Sequence, residues 1–275
     1  MTMTEPTPAA SAPASPDTGT RLRAHEVVLS YDGRVVVDGV DLDVPHGRVT
    51  VIIGPNACGK STLLKGLVRL MRPEAGSVLL DGEPVHRMST REVARRVGML
   101  PQSPTAPEAV TVADLVARGR APHQRWWQQW TPDDERVVDA ALEATGITEL
   151  GERPLEELSG GQRQRAWLAL ALAQDTDLLL LDEPTTYLDP AHQVDVLDLV
   201  ARLNRNAGRT VVMVLHDLNH AARYADHVVA MKDGRVVAQG APADVLTAAT
   251  VETVFGLRCV VVPCPVSGRP LVVHR

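Results

Sequence analysis

The amino-acid sequence predicts an α/β fold in which a mostly parallel sheet core carries an antiparallel β subdomain and a helical insert. Three observations predict it. Short aliphatic runs such as Val49 to Ile53 alternate with helical stretches, which is typical of strands buried on both faces of a parallel sheet. Asp-Gly dipeptides separate pairs of strand-like runs, as they do in tight hairpins. Between Ser103 and Leu158 the apolar periodicity is mainly helical, without a convincing strand.

The first elements are a hairpin and then a strand, a loop and a helix. Leu22 to Ser30 and Arg34 to Val37 are strand-like runs on either side of Asp32-Gly33, so we expect them to pair antiparallel. Val49 to Ile53 is a continuous β-branched run that ends in a glycine-rich loop. A helical pattern follows the loop and continues through Leu70.

A second hairpin-like segment precedes the helical insert. It consists of Gly76 to Leu80 and the turn dipeptide Asp81-Gly82, and Val97 to Leu100 is the next short buried strand. Within the insert, the better helix candidates are Thr111 to Arg118 and Pro132 to Thr145. We therefore expect this part of the chain to form a separate helical subdomain.

Alternating strands and helices return after the insert. The strand-like runs are Leu178 to Leu181, Val211 to Leu215 and Val228 to Met231, and the helical stretches lie near Gln162 to Ala173 and Pro190 to Asn206. Asp233-Gly234 predicts a final hairpin between the last of these strands and Arg235 to Gln239. The sequence beyond that hairpin gives no clear element. The domain boundaries that we expect are a tail over residues 1–20, a main domain over 21–262 with the helical subdomain at about 103–160, and a C-terminal extension over 263–275.

Composition excludes several classes of protein. The formal net charge is −6 over 275 residues, so no global positive field would hold nucleic acid or an anionic bilayer. No apolar run approaches the roughly 18 to 20 residues of a spanning helix. The tail is rich in Pro, Ala, Thr and Ser and lacks the pattern of a signal peptide, which predicts disorder. The count of three cysteines is odd and shows no metal-ligand spacing, which fits a reducing cytoplasm.

One glycine-rich segment predicts phosphate binding. The segment fits G-x-x-x-x-G-K-[ST] and consists of Gly54, Pro55, Asn56, Ala57, Cys58, Gly59, Lys60 and Ser61. Backbone amides and a helix N-terminus would bind phosphate oxygens there, Lys60 would reach the β- and γ-phosphates, and the Ser61 hydroxyl would coordinate Mg²⁺. A strand, this loop and a helix in succession are typical of a P-loop NTPase with a RecA-like core, although a purely structural glycine loop is the alternative.

Cys58 and Thr62 are two further candidate residues at the start of this helix. Cys58 lies at the helix start, where the helix dipole would lower the pKa of its thiol and make it modifiable; the alternative is that it only fills space. Thr62 directly follows Ser61 and is a further candidate contact for the nucleotide.

Two consecutive carboxylates follow the strand Leu178 to Leu181. Ligands collect at the carboxyl ends of parallel strands, and alternation along the strand gives these two residues different tasks. Asp182 would bind the hydration shell of Mg²⁺, and Glu183 would polarise the water that attacks the γ-phosphate. An apolar strand that ends in acidic turn residues is common and is weak evidence by itself. The pattern is informative here because the phosphate loop accompanies it.

A third segment, Leu158-Ser159-Gly160-Gly161-Gln162, opens the helix that ends near Ala173. With this segment the sequence resembles the ATP-binding cassette (ABC) family, whose signature is LSGGQ, and the similarity covers about Leu22 to Gln239. The resemblance implies that the four residues from Ser159 to Gln162 contact the γ-phosphate of ATP held by the other protomer. It therefore implies a homodimer with two shared sites, and ATP and Mg²⁺ as its ligands.

Four more positions fall in the order that this resemblance requires. Gln102 matches the glutamine that senses Mg²⁺ and the membrane partner, Asp189 the aspartate that links the two sites, and His216 the histidine on the γ-phosphate. Tyr31 resembles the aromatic residue that stacks on adenine. Taken singly, Gln102 also reads as a turn residue, His216 as a strand-end core histidine and Tyr31 as hairpin packing. Their joint order favours the functional interpretation.

Within the family, several strings are similar to importers of iron chelates, haem and cobalamin. They are GPNACGKSTLL from Gly54, GRAPHQ from Gly119, TTYLD from Thr185, HQVDVLDL from His192 and HDLNHAARYAD from His216. The resemblance implies uptake of a ferric siderophore, with haem, cobalamin or another metal chelate as alternatives. It also implies permease subunits in the membrane, indirectly a substrate-binding protein, and a peripheral location on the cytoplasmic face.

Two rival functions are less consistent with the sequence. A soluble ABC ATPase that acts on ribosomes or DNA usually has two cassettes or a long coiled coil, and this chain has one cassette and no sustained heptads. A small-molecule kinase with the same phosphate loop has no use for LSGGQ, Gln102 and His216 together.

The insert also contains three of the four tryptophans of the chain, Trp126, Trp127 and Trp130. Tryptophan is enriched where proteins dock, so one hypothesis is a contact with the membrane subunit. The alternative is that two of them pack inside the insert, because the spacing also suits a helix that buries one face.

Overall fold

The computed structural model describes residues 19–124, 130–186 and 188–275. The strands are β1 (Thr20–Tyr31), β2 (Arg34–Pro45), β3 (Val49–Ile53), β4 (Ala75–Leu80), β5 (Glu83–Pro84), β6 (Val97–Leu100), β7 (Leu178–Asp182), β8 (Thr210–Val214), β9 (His227–Lys232), β10 (Arg235–Gly240), β11 (Cys259–Pro263) and β12 (Pro270–His274). The α-helices are α1 (Lys60–Leu67), α2 (Thr90–Arg96), α3 (Val112–Ala117), α4 (Pro132–Thr145), α5 (Gly160–Ala173), α6 (Pro190–Ala207), α7 (Leu218–Tyr224), α8 (Pro242–Val245) and α9 (Ala248–Phe255).

The central sheet has six strands in the order β10-β9-β3-β8-β7-β6. All neighbouring pairs from β9 to β6 are parallel, and β10 pairs antiparallel with β9 at one edge. The chain enters the sheet in the middle, at β3, and reaches strands on both sides of it through helical connections. This arrangement confirms the predicted α/β class, and it brings the carboxyl ends of β3, β8, β7 and β6 to one edge.

β3, β7 and β8 are buried on both faces of the central sheet, which explains why these strands read as continuous aliphatic runs. Successive side chains point to opposite faces. Val51 and Leu179 pack in a core with the helical insert, α6 and α7, whereas Ile52 and Leu180 pack in a second core with α1 and the antiparallel strands. The sheet is therefore the middle layer between two hydrophobic cores.

The antiparallel subdomain is a four-stranded sheet in the order β2-β1-β4-β5. β2 is longer than predicted because it continues past Val37 to Pro45, and β1 pairs with both β2 and β4. α1 ends at Leu67, not at the predicted Leu70, and Arg69 has a left-handed φ of 63°. A residue in that conformation ends the helical hydrogen-bonding pattern.

The helical insert lies between β6 and β7 and consists of α3, α4 and α5, with the predicted helices at the predicted places. α5 begins at Gly160, two residues before the expected start, because Ser159 caps it. A single antiparallel bridge joins Thr111 to Pro154 at the base of the insert.

The C-terminal part of the chain is more ordered than the sequence indicated. After β10, the short helices α8 and α9 lead to the hairpin β11-β12, whose inner side packs against α7 and α9. Residues 1–18 lie outside the described residues, so the predicted tail stays a prediction. Within the described part of the chain, no helix combines the length and the apolar character needed to cross a membrane.

Candidate active site

Four neighbouring strands deliver the polar residues of the site to one edge of the central sheet. β3 leads directly into Gly54, and Gln102 comes two residues after β6. β7 ends at Asp182 with Glu183 next to it, and His216 comes two residues after β8. Parallel strands place their carboxyl ends together, so residues far apart in sequence meet here.

The loop after β3 needs glycine at two positions because other backbone lies against it. A Cβ at Gly54 would lie 2.4 Å from the carbonyl oxygen of Met231 and 2.7 Å from Cys58 Sγ. Gly59 has a φ of 102°, and a Cβ there would lie 2.7 Å from the carbonyl oxygen of Val36. The loop is thus held between β9 and β2 in a shape that side chains would prevent.

The N-terminus of α1 is built to receive an anion. The helix begins with Lys60 and has neither a side-chain cap nor an acidic residue in its first turn, whereas Ser159 and Asp189 cap α5 and α6. The amides of its first turn lack acceptors within the helix, and the helix dipole adds positive potential there. Lys60 Nζ donates hydrogen bonds to the carbonyl oxygens of Gly54 and Pro55, each over 2.8 Å. Phosphate oxygens fit these donors.

A hydroxyl and a carboxylate lie next to this helix start. Ser61 Oγ donates to Asp182 Oδ1 over 2.9 Å, and Asp182 is only 2% exposed. Burial raises the pKa of Asp182, and the neighbouring Glu183 acts in the same direction, against the hydrogen bond from Ser61. Oxygen ligands of this kind suit Mg²⁺, and a bound cation would favour the ionised carboxylate. The donor set therefore fits a magnesium ion.

Glu183 is the centre of the hydrogen-bonding network. Its carboxylate is 2.7 Å from Gln102 Nε2, 3.0 Å from Thr186 Oγ1 and 2.7 Å from His216 Nε2. It is 8% exposed, and its φ of 53° is unusual for a residue other than glycine. A carboxylate fixed by three donors on a strained turn, next to a phosphate-binding loop, is suited to orient and polarise a water molecule.

These groups line one cavity of about 980 Å³. The predicted site residues that line it are Tyr31, Asn56, Ala57, Gly59, Lys60, Ser61, Thr62, Gln102, Glu183 and His216. Gly54, Pro55 and Cys58 belong to the phosphate loop and Asp182 ends β7, but these four residues do not line it. Tyr31 is 46% exposed, so an aromatic face is available at the cavity rim. Its packing in the hairpin leaves nearly half of it accessible.

Sequence reasoning missed six residues that line the cavity. They are Arg34, Val35, Val36, Thr186, Asp233 and Gly234. Arg34 pairs with Tyr31 across the first hairpin, and that register was available from the turn dipeptide. Thr186 lies three residues after Glu183, within reach of its carboxylate. The last two belong to the β9-β10 turn, whose proximity depends on the order of strands in the sheet.

The segment from Ser159 to Gln162 does not line this cavity. It forms a capping box at the start of α5, in which Ser159 Oγ accepts from the Gln162 amide over 3.3 Å and the Ser159 amide donates to Gln162 Oε1 over 3.1 Å. Ser159 and Gly160 are exposed. Asp189 likewise lies outside the cavity and caps α6, where it accepts from the His192 amide over 3.0 Å.

A family model described as ABC transporter matches residues 37–186, which is more than half of the chain. The chain belongs to the ABC transporter family. The match runs from β2 through the phosphate loop and the insert to the turn that follows Glu183, so it contains most of the residues of the site described above.

Curated relatives and a solved structure agree with this membership. The achromobactin transport ATP-binding protein CbrD of Dickeya dadantii is 54% identical over 92% of this chain and 94% of its own length. The ferric enterobactin transport ATP-binding protein FepC of Escherichia coli is 52% identical over 92% of this chain and 93% of its own length. The dimeric structure of MJ0796, a bacterial ABC transporter cassette, superposes with a TM-score of 0.72 at 26% identity, covering 80% of this chain and 98% of that one. This chain is an ABC ATPase, whose hydrolysis of ATP is coupled to transport.

Two hypotheses about single residues of this ABC ATPase have different outcomes. Burial raises the pKa of the Cys58 thiol, with weaker opposition from Lys60, so the expectation that the helix start activates this thiol is wrong and the space-filling role is favoured. Of the tryptophans in the insert, Trp126 and Trp127 lie outside the described residues. Trp130 is 46% exposed, so its docking role stays a prediction.

Proposed function

We propose that this ABC ATPase powers the uptake of a ferric siderophore across the cytoplasmic membrane. Support for the cargo comes from two relatives that are 54% and 52% identical over the matched residues, whose names specify achromobactin and ferric enterobactin transport. In both cases the match extends over more than nine tenths of each chain. An ATPase subunit does not contact the cargo, so no single residue of this chain can identify it. Support for the cargo therefore comes from similarity along the whole chain.

The geometry supports a division of labour among the residues of one protomer. Lys60 and the first-turn amides of α1, with Asn56, Ala57 and Thr62, bind the phosphates of ATP, and Tyr31 stacks on the adenine. Glu183 polarises the attacking water, because its carboxylate is buried, fixed and open to the same cavity. His216 holds Glu183 and contacts the γ-phosphate.

Ser61, Asp182 and Gln102 are the residues that would hold Mg²⁺. When bound, the ion would neutralise charge that develops on the phosphate oxygens. Gln102 already donates to Glu183, so in this proposal it connects the metal position with the catalytic carboxylate. The distance of 2.9 Å between Ser61 Oγ and Asp182 Oδ1 supports this assignment, because one cation could contact both oxygens.

The exposed LSGGQ segment supports a site that two chains share. Ser159 and Gly160 are accessible, and the cavity that contains Lys60 and Glu183 lies elsewhere on the same chain. We therefore propose a homodimer in which Ser159, Gly160, Gly161 and Gln162 of each protomer meet the γ-phosphate on the other, and Asp189 connects the two sites. The solved dimer of a related cassette supports this arrangement.

The remaining partners follow from the role in import. We propose that two copies of the chain bind permease subunits at the cytoplasmic face of the membrane, and that a substrate-binding protein delivers the cargo on the other side. No nucleic acid is expected as a partner, in line with the net charge of −6.

Uptake of radiolabelled iron tests the cargo directly. A strain lacking the gene is complemented with the wild-type gene or with Glu183→Gln, and ⁵⁵Fe uptake is measured with enterobactin, achromobactin and a hydroxamate siderophore as chelators. We expect one siderophore class to be taken up only with the wild-type gene. Haem and cobalamin uptake in the same strains is the matched control. Dependence of haem or cobalamin uptake on the gene, with unchanged siderophore uptake, would contradict the proposed cargo.

A further inference from the structure

The C-terminal hairpin docks on the helix that follows His216. Asn219, in the first turn of α7, donates from Nδ2 to the carbonyl oxygen of Val272 over 3.3 Å and accepts from the Val272 amide over 2.8 Å. Val272 lies in β12 and is only 3% exposed. Both backbone groups of one strand residue point to the same side of an antiparallel strand, so this pair faces α7 and not β11. The Asn219 side chain therefore forms hydrogen bonds with both backbone groups of Val272 at the outer edge of the hairpin.

A second contact fixes the other end of the same helix. Arg269, at the start of the hairpin's second strand, donates to the carbonyl oxygens of Ala222 and Ala225. Its guanidinium is also 4.0 Å from Asp226. At the start of α7, next to Asn219, Leu218 packs with the buried cluster of Val251, Cys259 and Val272. α7 is thus held by the hairpin along its length.

α7 begins two residues after His216, a member of the catalytic network. His216 precedes Asp217, which caps α7 by accepting from the His220 amide over 2.7 Å. Leu218 is the first helical residue, so only the cap separates His216 from the helix that the hairpin holds. His216 itself is 43% exposed, and its described polar contact is with Glu183, over 2.7 Å.

We propose that Asn219 is a positioning residue, through which the C-terminal hairpin sets His216 against Glu183. The inference rests on the roles proposed above for those two residues. It assigns a task to the C-terminal residues 259–275. The sequence predicted no clear element there, and these residues lie outside residues 37–186, which the family model matches. Misplacement of a catalytic group by about 1 Å slows the chemical step far more than it weakens substrate binding, because Lys60 and the first-turn amides of α1 still bind the phosphates.

The test compares two asparagines that each make two hydrogen bonds to the backbone. Asn204 donates to the carbonyl oxygens of Gly47 and Arg209 over 2.9 and 2.7 Å, at the opposite edge of the sheet where β3 and β8 begin. Asn219→Ala and Asn204→Ala each remove two hydrogen bonds from a half-buried side chain. Steady-state ATPase activity of the full-length chain, assembled with its permease, is measured together with the melting temperature and with the affinity for a fluorescent ATP analogue.

We expect Asn219→Ala to lower kcat by about tenfold with KM and analogue affinity within about twofold of wild type. Asn204→Ala is expected to change the melting temperature by a similar amount and to leave kcat near wild type. In a His216→Ala background, Asn219→Ala is expected to have no further effect, because it acts through that histidine. Arg269→Ala, which loosens the hairpin at the other end of α7, is expected to lower kcat in the same way and supplies the test should Asn219→Ala not fold.

The outcomes separate this inference from the proposed function. Equal kcat in Asn219→Ala and Asn204→Ala, or equal losses in the presence and absence of His216, would overturn the positioning role while the ATPase assignment stands. A rise in KM that accounts for the whole loss would overturn it as well. A wild-type assembly that does not hydrolyse ATP would instead count against the proposed function.

Discussion

Glu183 accepts hydrogen bonds from residues on three separate loops, and its negative charge is the property on which its proposed role depends. Glu183→Gln keeps the size of the side chain and removes that charge. We expect turnover to fall by at least about 100-fold, because general-base assistance typically contributes 10²- to 10⁴-fold. Binding of ATP should stay within a few-fold of wild type, since Lys60 and the α1 amides are untouched. Steady-state ATPase assays and nucleotide titrations measure the two effects.

The control for this prediction is a carboxylate outside the site. Glu83 is exposed and pairs with Arg96 over 3.2 Å on the antiparallel subdomain, so Glu83→Gln should leave turnover unchanged. If Glu183→Gln hydrolysed ATP at the wild-type rate, Glu183 would not be the group that polarises the water.

The cysteines provide a second prediction for single residues. Hydrogen bonds from Ser267 lower the pKa of the Cys264 thiol, which is partly exposed, whereas burial raises the pKa of Cys58. At pH 7.5 the thiolate fraction is larger where the pKa is lower, so iodoacetamide should label Cys264 at least about tenfold faster than Cys58. Peptide mapping by mass spectrometry measures both rates. Ser267→Ala should raise the pKa of Cys264 and slow its labelling; faster labelling of Cys58 would contradict the burial argument.

At the scale of elements, the sequence predicted the strands buried on both faces, because a parallel sheet covered by helices leaves an uninterrupted aliphatic run. It predicted the hairpins from their Asp-Gly turns, because this dipeptide suits the backbone dihedrals of a tight turn. The hairpin β11-β12 was missed although both strands are rich in valine. Its stability depends on α7 and α9, and its contact through Asn219 joins residues far apart in the chain. Local patterns contain no information on such contacts.

A buried ion pair holds the helical insert together. Arg120 Nε donates to Asp134 Oδ1 over 2.8 Å, both residues are 4% exposed, and Arg120 also donates to the carbonyl oxygen of Ala173 over 3.1 Å. The pair joins the start of α4 to the end of α5. Asp134→Ala would remove the close partner of the buried arginine and leave Asp133 at 3.9 Å, so we expect the free energy of unfolding to fall by about 3–5 kcal/mol. Urea denaturation followed by circular dichroism measures it.

The neighbouring Asp133 gives the matched control, because it is 63% exposed, pairs with Arg136 over 2.7 Å and approaches the buried Arg120 only to 3.9 Å. Asp133→Ala should cost less than about 1 kcal/mol. A comparable loss in both variants would show that burial does not decide the effect.

The same pair predicts a dependence on pH. Burial tends to raise the pKa of Asp134, but hydrogen bonds from Arg120 and Thr131 outweigh it and lower the pKa overall. A lowered folded-state pKa means that the stabilisation is present above the unfolded value of about 3.9 and is lost as pH falls through the folded value. The difference in unfolding free energy between wild type and Asp134→Asn should therefore shrink below about pH 4. Urea denaturation at several pH values measures it, and a difference that stays constant down to pH 2 would contradict this assignment.

At the scale of the whole molecule, the phosphate loop, Asp182 and Glu183 were predictable because each follows a recognisable strand, and parallel strands end at one edge; His216 was predicted through the resemblance to the ABC family. Arg34 and Asp233 were not, because their place in the cavity depends on how the antiparallel sheet and the β9-β10 turn fold over the loop. The separation of Ser159 from the cavity is also a property of the complete fold. In the proposed mechanism, one chain therefore contains only part of each ATP site.

The proposed dimer leads to a prediction for Ser159. Ser159→Ala should weaken ATP-driven dimerisation of the Glu183→Gln protein by at least about tenfold, because one contact to the partner's γ-phosphate is lost at each of two sites. Binding of nucleotide by the monomer should be unchanged, since Ser159 lies outside its own cavity. Light scattering after gel filtration, with and without ATP, measures dimerisation. Ser159 also caps α5, and losing a cap costs about 1 kcal/mol by itself.

Ser89→Ala separates these two effects, because Ser89 forms the same capping box at the start of α2 with Glu92 and lies outside the cavity. Both variants should lose similar thermal stability, and only Ser159→Ala should lose the ATP-driven dimer. If both variants dimerised equally well, the serine of the LSGGQ segment would act only as a helix cap. In the proposed dimer, Ser159 contacts ATP bound to the other protomer, so it cannot affect nucleotide binding by an isolated chain. If the affinity of the monomer for ATP fell in parallel with dimerisation, the ATP site would be complete within one chain.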